Sequence, residues 1–402
     1  MKVLLLNTYP QGGAGIASGR LLTALQAQGT DARLLHAADT GSRWPFYAER
    51  LSFLPYERDK SVRFSFSPAN FGKDLRRHPL VQSADILHLH WINQGFLSLQ
   101  NVAQLATLGK PVVWTLHDIW AFTGGCHIHT CDHFQQSCGR CPYLRQPAPD
   151  DLSHRVWLAK KRLFPPNIHF VTCSDWLHGM ARSSSLLADY PITTIPNPID
   201  TNIFQPISAT ERAAFRAEKG VAPGARIVLF VSMRISDPHK GFRFLQAALQ
   251  HLKANDPNLP LEIMVIGKTE PEALAALPYP VHALGLIQDA QHLARIYAAA
   301  DVFVTPTLAD NLPNTVMESL ACGTPVAGFR TGGVPEMVSH QVEGYIAGQG
   351  DSLDLAAGIS WVVSGNKQRL ELRRAARQKV ERTYANAVVA TQYLDLYNML
   401  LR

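Results

Sequence analysis

At roughly 150 residues per domain, a chain of 402 residues makes two to three domains, which excludes a single small module. Hydrophobic residues are 46% and charged residues 17%, enough apolar material for large cores and too little charge for a disordered chain. Lys and Arg outnumber Asp and Glu by 38 to 32, a net charge of +6 that suits an anionic ligand or anionic membrane surface and is too diluted for a nucleic-acid binder.

The N-terminal apolar run, MKVLLLN, is too short for a signal-peptide core, and nowhere do about 18 apolar residues run uninterrupted. The expectation is a cytoplasmic protein, at most touching the inner face of a membrane. From Lys2 the chain reads apolar run, Gly-rich turn, helix and apolar run, one βαβ unit. Strands are expected at 84–92, 111–117, 169–174 and 192–196, each short and apolar on both faces as in a parallel sheet. Residues 39–80 mix aromatics, Pro and Arg without a period and read as an insertion. Residues 195–208 carry three prolines and read as a linker. The same grammar then repeats, with strands expected at 226–234, 261–268, 281–287, 300–307 and 324–329. The expected fold is α/β, with two Rossmann-like doubly wound domains, 1–195 and 196–377, facing across a cleft. A helical tail, 378–402, packs back on the first.

The chemistry-bearing residues follow strand ends. After the strand at 226–234 come Arg234 and Lys240, two cations able to neutralise a diphosphate, Arg by a bidentate grip and Lys as a point charge. Asp237 and His239 between them read as turn and surface residues. Further on, Asp310 is followed by Asn311, Leu312 and Pro313, then by a helix expected to start near Pro313 or Asn314 and to carry Glu318. Free N–H groups at a helix start bind phosphate, and a carboxylate one turn in can accept both hydroxyls of a ribose. A structural reading, with Asp310 as a helix cap and Glu318 as a solvated residue, stands beside it. The loop Gly12, Gly13, Ala14, Gly15 lacks the third glycine of G-x-G-x-x-G, which weighs against a dehydrogenase.

With the Gly loop, the Leu116-His117-Asp118 triplet, the pair Arg234 and Lys240, and Asp310 spaced from Glu318 ahead of Gly332, Gly333 and Glu336, the sequence resembles family-four-type glycosyltransferases of the GT-B fold. Those enzymes retain anomeric configuration and use nucleotide-sugar donors. The resemblance covers nearly the whole chain and departs at Asp310, where the family usually has Glu. It implies that Arg234 and Lys240 grip the donor diphosphate, Glu318 holds the ribose, and Asp310 contacts the transferred sugar. The amides of Asn311 and Leu312 would lie near the phosphates, and Gly12 and Gly13 would let backbone approach the donor phosphates and the acceptor. It also places His117 beside the reacting sugar, its ring oriented by Asp118. No protein nucleophile is implied. Retaining glycosidases pair two carboxylates about 5–5.5 Å apart, whereas here the leaving phosphate would take the acceptor proton, and the two cations would stand in for a catalytic metal. The acceptor would be a carbohydrate or a lipid-linked one, in polysaccharide or glycolipid assembly. A GT-B sugar-nucleotide epimerase and a catalytically silent sugar-nucleotide-binding protein remain alternatives.

Four of the six cysteines, Cys126, Cys131, Cys138 and Cys141, fall in one window with His127, His129 and His133 interleaved. Such spacing fits a structural, tetrahedral Zn2+, with free thiols as the other reading. The segment resembles a Cys-rich loop in a polysaccharide-assembly subset of the same family. Cys173 and Cys322 read as core residues. Arg155, Lys160, Lys161 and Arg162 read either as a lipid-facing run or as a solvated helix face.

Overall fold

The computed structural model describes residues 1–128 and 131–402; His129 falls outside them. The chain divides into two compact units, Met1–Pro198 with Val389–Arg402, and Ile199–Val388.

In the first unit the apolar runs form β1 (Lys2–Asn7), β2 (Asp31–His36), β3 (Ile86–Leu89), β4 (Val112–Leu116), β5 (Ile168–Thr172) and β6 (Ile192–Thr194). They lie in the order β2-β1-β3-β4-β5-β6, every pairing parallel. Alternation along each strand feeds two buried faces. Leu4, Leu6, Leu87, Leu89, Val112 and Trp114 enter one core, while Val3, Leu5, Ile86 and Val113 enter the other. The second face is covered by the helix Asn386–Leu400, which contributes Val389, Ala390, Tyr393, Leu396 and Tyr397. The stretch read as an insertion folds into a helix, Trp44–Phe53, and a short 3-10 turn, Lys60–Phe64. Its anchor is the buried Glu49 carboxylate, which accepts the backbone N–H groups of Ala69, Asn70 and Phe71 at 2.6, 2.9 and 3.0 Å.

The second unit holds β7 (Arg226–Arg234), β8 (Leu261–Lys268), β9 (Val281–Gly285), β10 (Val302–Thr305), β11 (Val326–Phe329) and β12 (Gly344–Ala347), in the parallel order β12-β11-β10-β7-β8-β9. The tail returns to the first unit at Val389 and not at 378. Helix Asn366–Thr383 stays behind because its arginines are spent within the second unit. Arg377 donates to the carbonyls of Phe204 and Ala321 at 2.8 and 2.9 Å, and Arg373 to those of Ala298 and Ala300 at 2.9 and 3.0 Å. Among the described residues no helix is long and apolar enough to cross a membrane.

Candidate functional site

In doubly wound sheets, ligands bind beyond the carboxyl ends of the strands, where strand order reverses. In the first unit that point lies between β1 and β3. A cavity of about 380 Å3 sits there, lined by Asn7, Gly12, Gly13, Phe64, Trp91, His117 and Asp118 with their neighbours. Four residues singled out from the sequence, Gly12, Gly13, His117 and Asp118, therefore share one cavity. Gly12 opens the helix Gly12–Ala27 at φ +79°, a backbone conformation that strains other L-residues. Asn7 ties the two strand ends, its Nδ2 donating to the Tyr9 carbonyl at 2.6 Å and its Oδ1 accepting the Trp91 N–H at 3.0 Å.

The expectation that Asp118 orients the His117 ring is corrected. Asp118 Oδ2 accepts Trp91 Nε1–H at 2.9 Å and His127 Nδ1–H at 2.7 Å, and Oδ1 accepts the Trp120 N–H at 2.8 Å. Burial works to raise this carboxyl, but the charge and hydrogen bond of His127, with the Trp120 and Trp91 donors, hold it below its ordinary value. The His117 ring is met instead by His90, with Nδ1 of His90 3.0 Å from Nε2 of His117. Burial lowers His117 to about 4, so its imidazole is neutral at pH 7. His90 was missed in the sequence, and His127, noted only among the cysteines, was not read as the partner of Asp118. Their signals were the alternation His88, His90 running off a strand end, and a histidine nine residues after Asp118.

In the cysteine loop the Sγ atoms of Cys126 and Cys141 meet at 3.4 Å, and Cys138 Sγ accepts the Gly124 N–H at 3.0 Å. Among the described residues no three His, Cys, Asp or Glu side chains are grouped so as to hold a metal ion. Lys160 does not belong to a lipid-facing run. It is fully buried, its ammonium donating to the carbonyls of Trp120 and Thr123 and lying 3.5 Å from the Trp120 ring centroid, so it staples the base of the loop. Arg155, Lys161 and Arg162 remain exposed.

In the second unit the reversal falls between β7 and β10, and the remaining predicted residues follow those two strands. Arg234 ends β7 with its side chain exposed. The turn beyond it is set by Asp237, whose Oδ1 accepts the His239 N–H at 2.9 Å. That turn is zipped to the segment after β10, where the His239 carbonyl accepts from Leu308 N–H at 2.8 Å and Thr307 Oγ1 at 3.1 Å. The zipper brings Lys240 Nζ to 2.7 Å from Asp310 Oδ2, and the Asp310 charge raises the lysine above its ordinary value. Gly332 packs so closely on the Asp310 carbonyl that a Cβ there would collide with it, and the Asn311 carbonyl accepts the Gly333 N–H at 2.8 Å. Helix Asn314–Ala321 follows at the expected place, with Pro313 as its cap, Leu312 buried before it and Glu318 buried in its second turn. Asp310 is thus an ion-pair partner rather than the helix cap.

Two family profiles match adjoining parts of the chain, Glycosyltransferase Family 4 over residues 11–203 and Glycosyl transferases group 1 over residues 225–365. Among curated proteins, a D-inositol 3-phosphate glycosyltransferase of Saccharomonospora viridis is 31% identical over 219 residues, 51% of this chain and 49% of that protein. The chain thus spans about half the length of this relative. Among solved structures, sucrose-phosphate synthase from Thermosynechococcus elongatus aligns with a TM-score of 0.67 at 17% identity, covering 99% of this chain and 98% of that one. HepE from Anabaena, in complex with UDP and glucose, aligns with a TM-score of 0.66 at 20% identity, covering 99% and 100%. Both likenesses concern the fold, two parallel-sheet α/β domains of the GT-B class. The chain is therefore built of a glycosyltransferase family 4 domain followed by a glycosyl transferases group 1 domain.

Proposed function

We propose that the chain transfers a sugar from a nucleoside-diphosphate sugar to a carbohydrate or lipid-linked acceptor, retaining configuration, in polysaccharide or glycolipid assembly. The observation that carries this reading is the zipper in the second unit, which sets Arg234, Lys240, Asp310 and the start of the Glu318 helix beyond adjacent strand ends. Breaking a sugar–phosphate bond leaves extra negative charge on the departing diphosphate. Cations and free helix-start amides placed there lower the barrier most, because they need no reorganisation as the charge develops. Lys240, steered by Asp310, and Arg234 take the diphosphate, Glu318 takes the ribose, and Asp310 adjoins the transferred sugar. HepE was solved with UDP and glucose, which favours a uridine donor here.

The acceptor enters the cavity of the first unit, beside Gly12, Gly13 and the neutral His117. A lipid-linked acceptor is supported by the helix Trp44–Phe53, where Trp44, Tyr47 and Leu51 are exposed at one-face spacing, and by exposed Phe64, which also lines that cavity.

Incubation with UDP-, GDP- and ADP-glucose, following nucleoside diphosphate release and the anomeric signals of the product by NMR, tests this reading. Release with at least one donor and an α-linked product from an α-linked donor is expected. Conversion of the sugar nucleotide to an epimer without release would make the chain an epimerase, and an inverted product would remove retention.

A further inference from the structure

His90 stands immediately past β3, 3% exposed. Its backbone is fixed on both sides, the N–H donating to the Leu6 carbonyl at 2.9 Å and the carbonyl accepting Trp114 Nε1–H at 2.9 Å. The His88 ring lies against it at 4.3 Å between centroids and is itself pinned, 2.7 Å from Tyr397 Oη and 2.7 Å from Thr115 Oγ1. On its other side the His117 ring is stacked at 5.3 Å and 20°, with His90 Nδ1 3.0 Å from His117 Nε2. The remaining nitrogen, His90 Nε2, is buried without a hydrogen-bond partner among the described residues.

Counting protons assigns the direction of this contact. Burial lowers all three histidines, so each ring is neutral and carries one proton. One proton lies between His90 Nδ1 and His117 Nε2. A stranded N–H is rarer in proteins than an under-used acceptor, so the partnerless Nε2 of His90 is the bare nitrogen and its Nδ1 is the donor. His117 Nε2 then accepts, and the His117 proton resides on Nδ1, 3.7 Å from Cys173 Sγ. That sulfur is free to receive it, because its own S–H has acceptors in Asn197 Oδ1 at 3.2 Å and the Leu116 carbonyl at 3.4 Å.

We propose that His90 is a positioning residue that locks His117 as the Nδ1-protonated, neutral tautomer. His117 then serves as a fixed neutral contact in the cavity and not as a proton carrier. The value of this lock for turnover rests on the transfer reading above; the tautomer itself does not.

The test is 15N-histidine NMR on the wild-type chain and on His90→Asn and His90→Leu, with His117 assigned through His117→Gln. Asn places an N–H two bonds from Cβ, where His has Nδ1, whereas Leu has no donor. His117 should be protonated at Nδ1 in the wild type and in His90→Asn, and should become a tautomer mixture in His90→Leu. The second readout is UDP release from UDP-glucose. His90→Leu should lower kcat by about 10²-fold, as loss of ring orientation does, with donor KM within about threefold, while His90→Asn stays within about fivefold of wild type. A wild-type His117 protonated at Nε2 overturns the proposal even if His90→Leu does not fold, and so does a His90→Leu tautomer identical to the wild type. If the wild type releases no UDP from this donor, the nitrogen signals alone decide the role of His90, and the failure belongs to the donor assignment.

Discussion

Lys240 Nζ lies 2.7 Å from Asp310 Oδ2, a contact between residues 70 apart that exists because the segments after β7 and β10 are hydrogen-bonded to each other through His239. The pair sets a cation and a carboxylate where the proposed diphosphate and sugar meet. Lys240→Ala should therefore lower turnover on the order of 10²–10³-fold by removing charge from the leaving phosphate. Asp310→Asn should spare nucleoside diphosphate affinity and damage transfer. Steady-state kinetics with calorimetry separates them, and turnover within twofold of wild type in Lys240→Ala contradicts the assignment.

Glu318 is proposed to hold the ribose, a charge-assisted contact made whether or not a sugar is attached. Glu318→Ala should weaken nucleoside diphosphate binding by about 1.5–3 kcal/mol. Calorimetry showing unchanged affinity, with affinity lost in Asp310→Asn instead, would mean that the two carboxylates have exchanged roles.

Acidification should destabilise the first unit. Burial holds His88 at about 3, His117 at about 4 and His90 well below the ordinary 6.5. Below 6.5 the unfolded chain binds protons that the folded rings refuse. The stability is complete above pH 6.5 and is lost as pH falls through about 4 towards 3, each refused proton contributing about 1.4 kcal/mol per pH unit. Thermal melts should fall steeply between pH 6.5 and 4 and less steeply in His88→Gln. Equal slopes in the two proteins would contradict the burial account.

Lys160 holds two carbonyls at the base of the cysteine loop. Lys160→Met leaves the Thr123 carbonyl unsatisfied in the interior, while the Trp120 carbonyl keeps the Thr123 N–H at 3.3 Å, and should cost about 1–3 kcal/mol, the desolvation penalty of one orphaned buried acceptor. A lower Tm and faster proteolytic nicking within residues 123–145 are expected. An unchanged Tm would mean that the loop does not depend on Lys160 for its stability.

The second unit was the more legible half. Its strand ends and helix start are written locally: Pro313 stops one conformation and opens the next, and an apolar run such as LEIMVIGK has no other place than a buried strand. Residue types alone put Arg234, Lys240, Asp310 and Glu318 near adjacent strand ends. β12 was missed because GYIA is four residues long and gains its partner only from β11. In the first unit the misses are long-range. Lys160 looked like one of four cations on a helix, and only the tertiary fold reveals that its face points at Trp120. His90 meets His117 across 27 residues through the pairing of β3 with β4, and Asp118 turns to Trp91 and His127 instead of its neighbour in sequence. Local pattern fixes elements and their ends; which side chains meet between strands is decided by register.

Whether the turn after β7 binds a nucleoside diphosphate is read from a thermal-shift panel of UDP, GDP, ADP and CMP on the wild-type chain and on an Arg234→Ala, Lys240→Ala double variant. A ligand of the native state raises Tm in proportion to RT ln(1+[L]/Kd). At least one nucleoside diphosphate should stabilise the wild type, and that shift should vanish in the double variant. A wild type indifferent to all of them, or an equal shift in both proteins, would contradict the account.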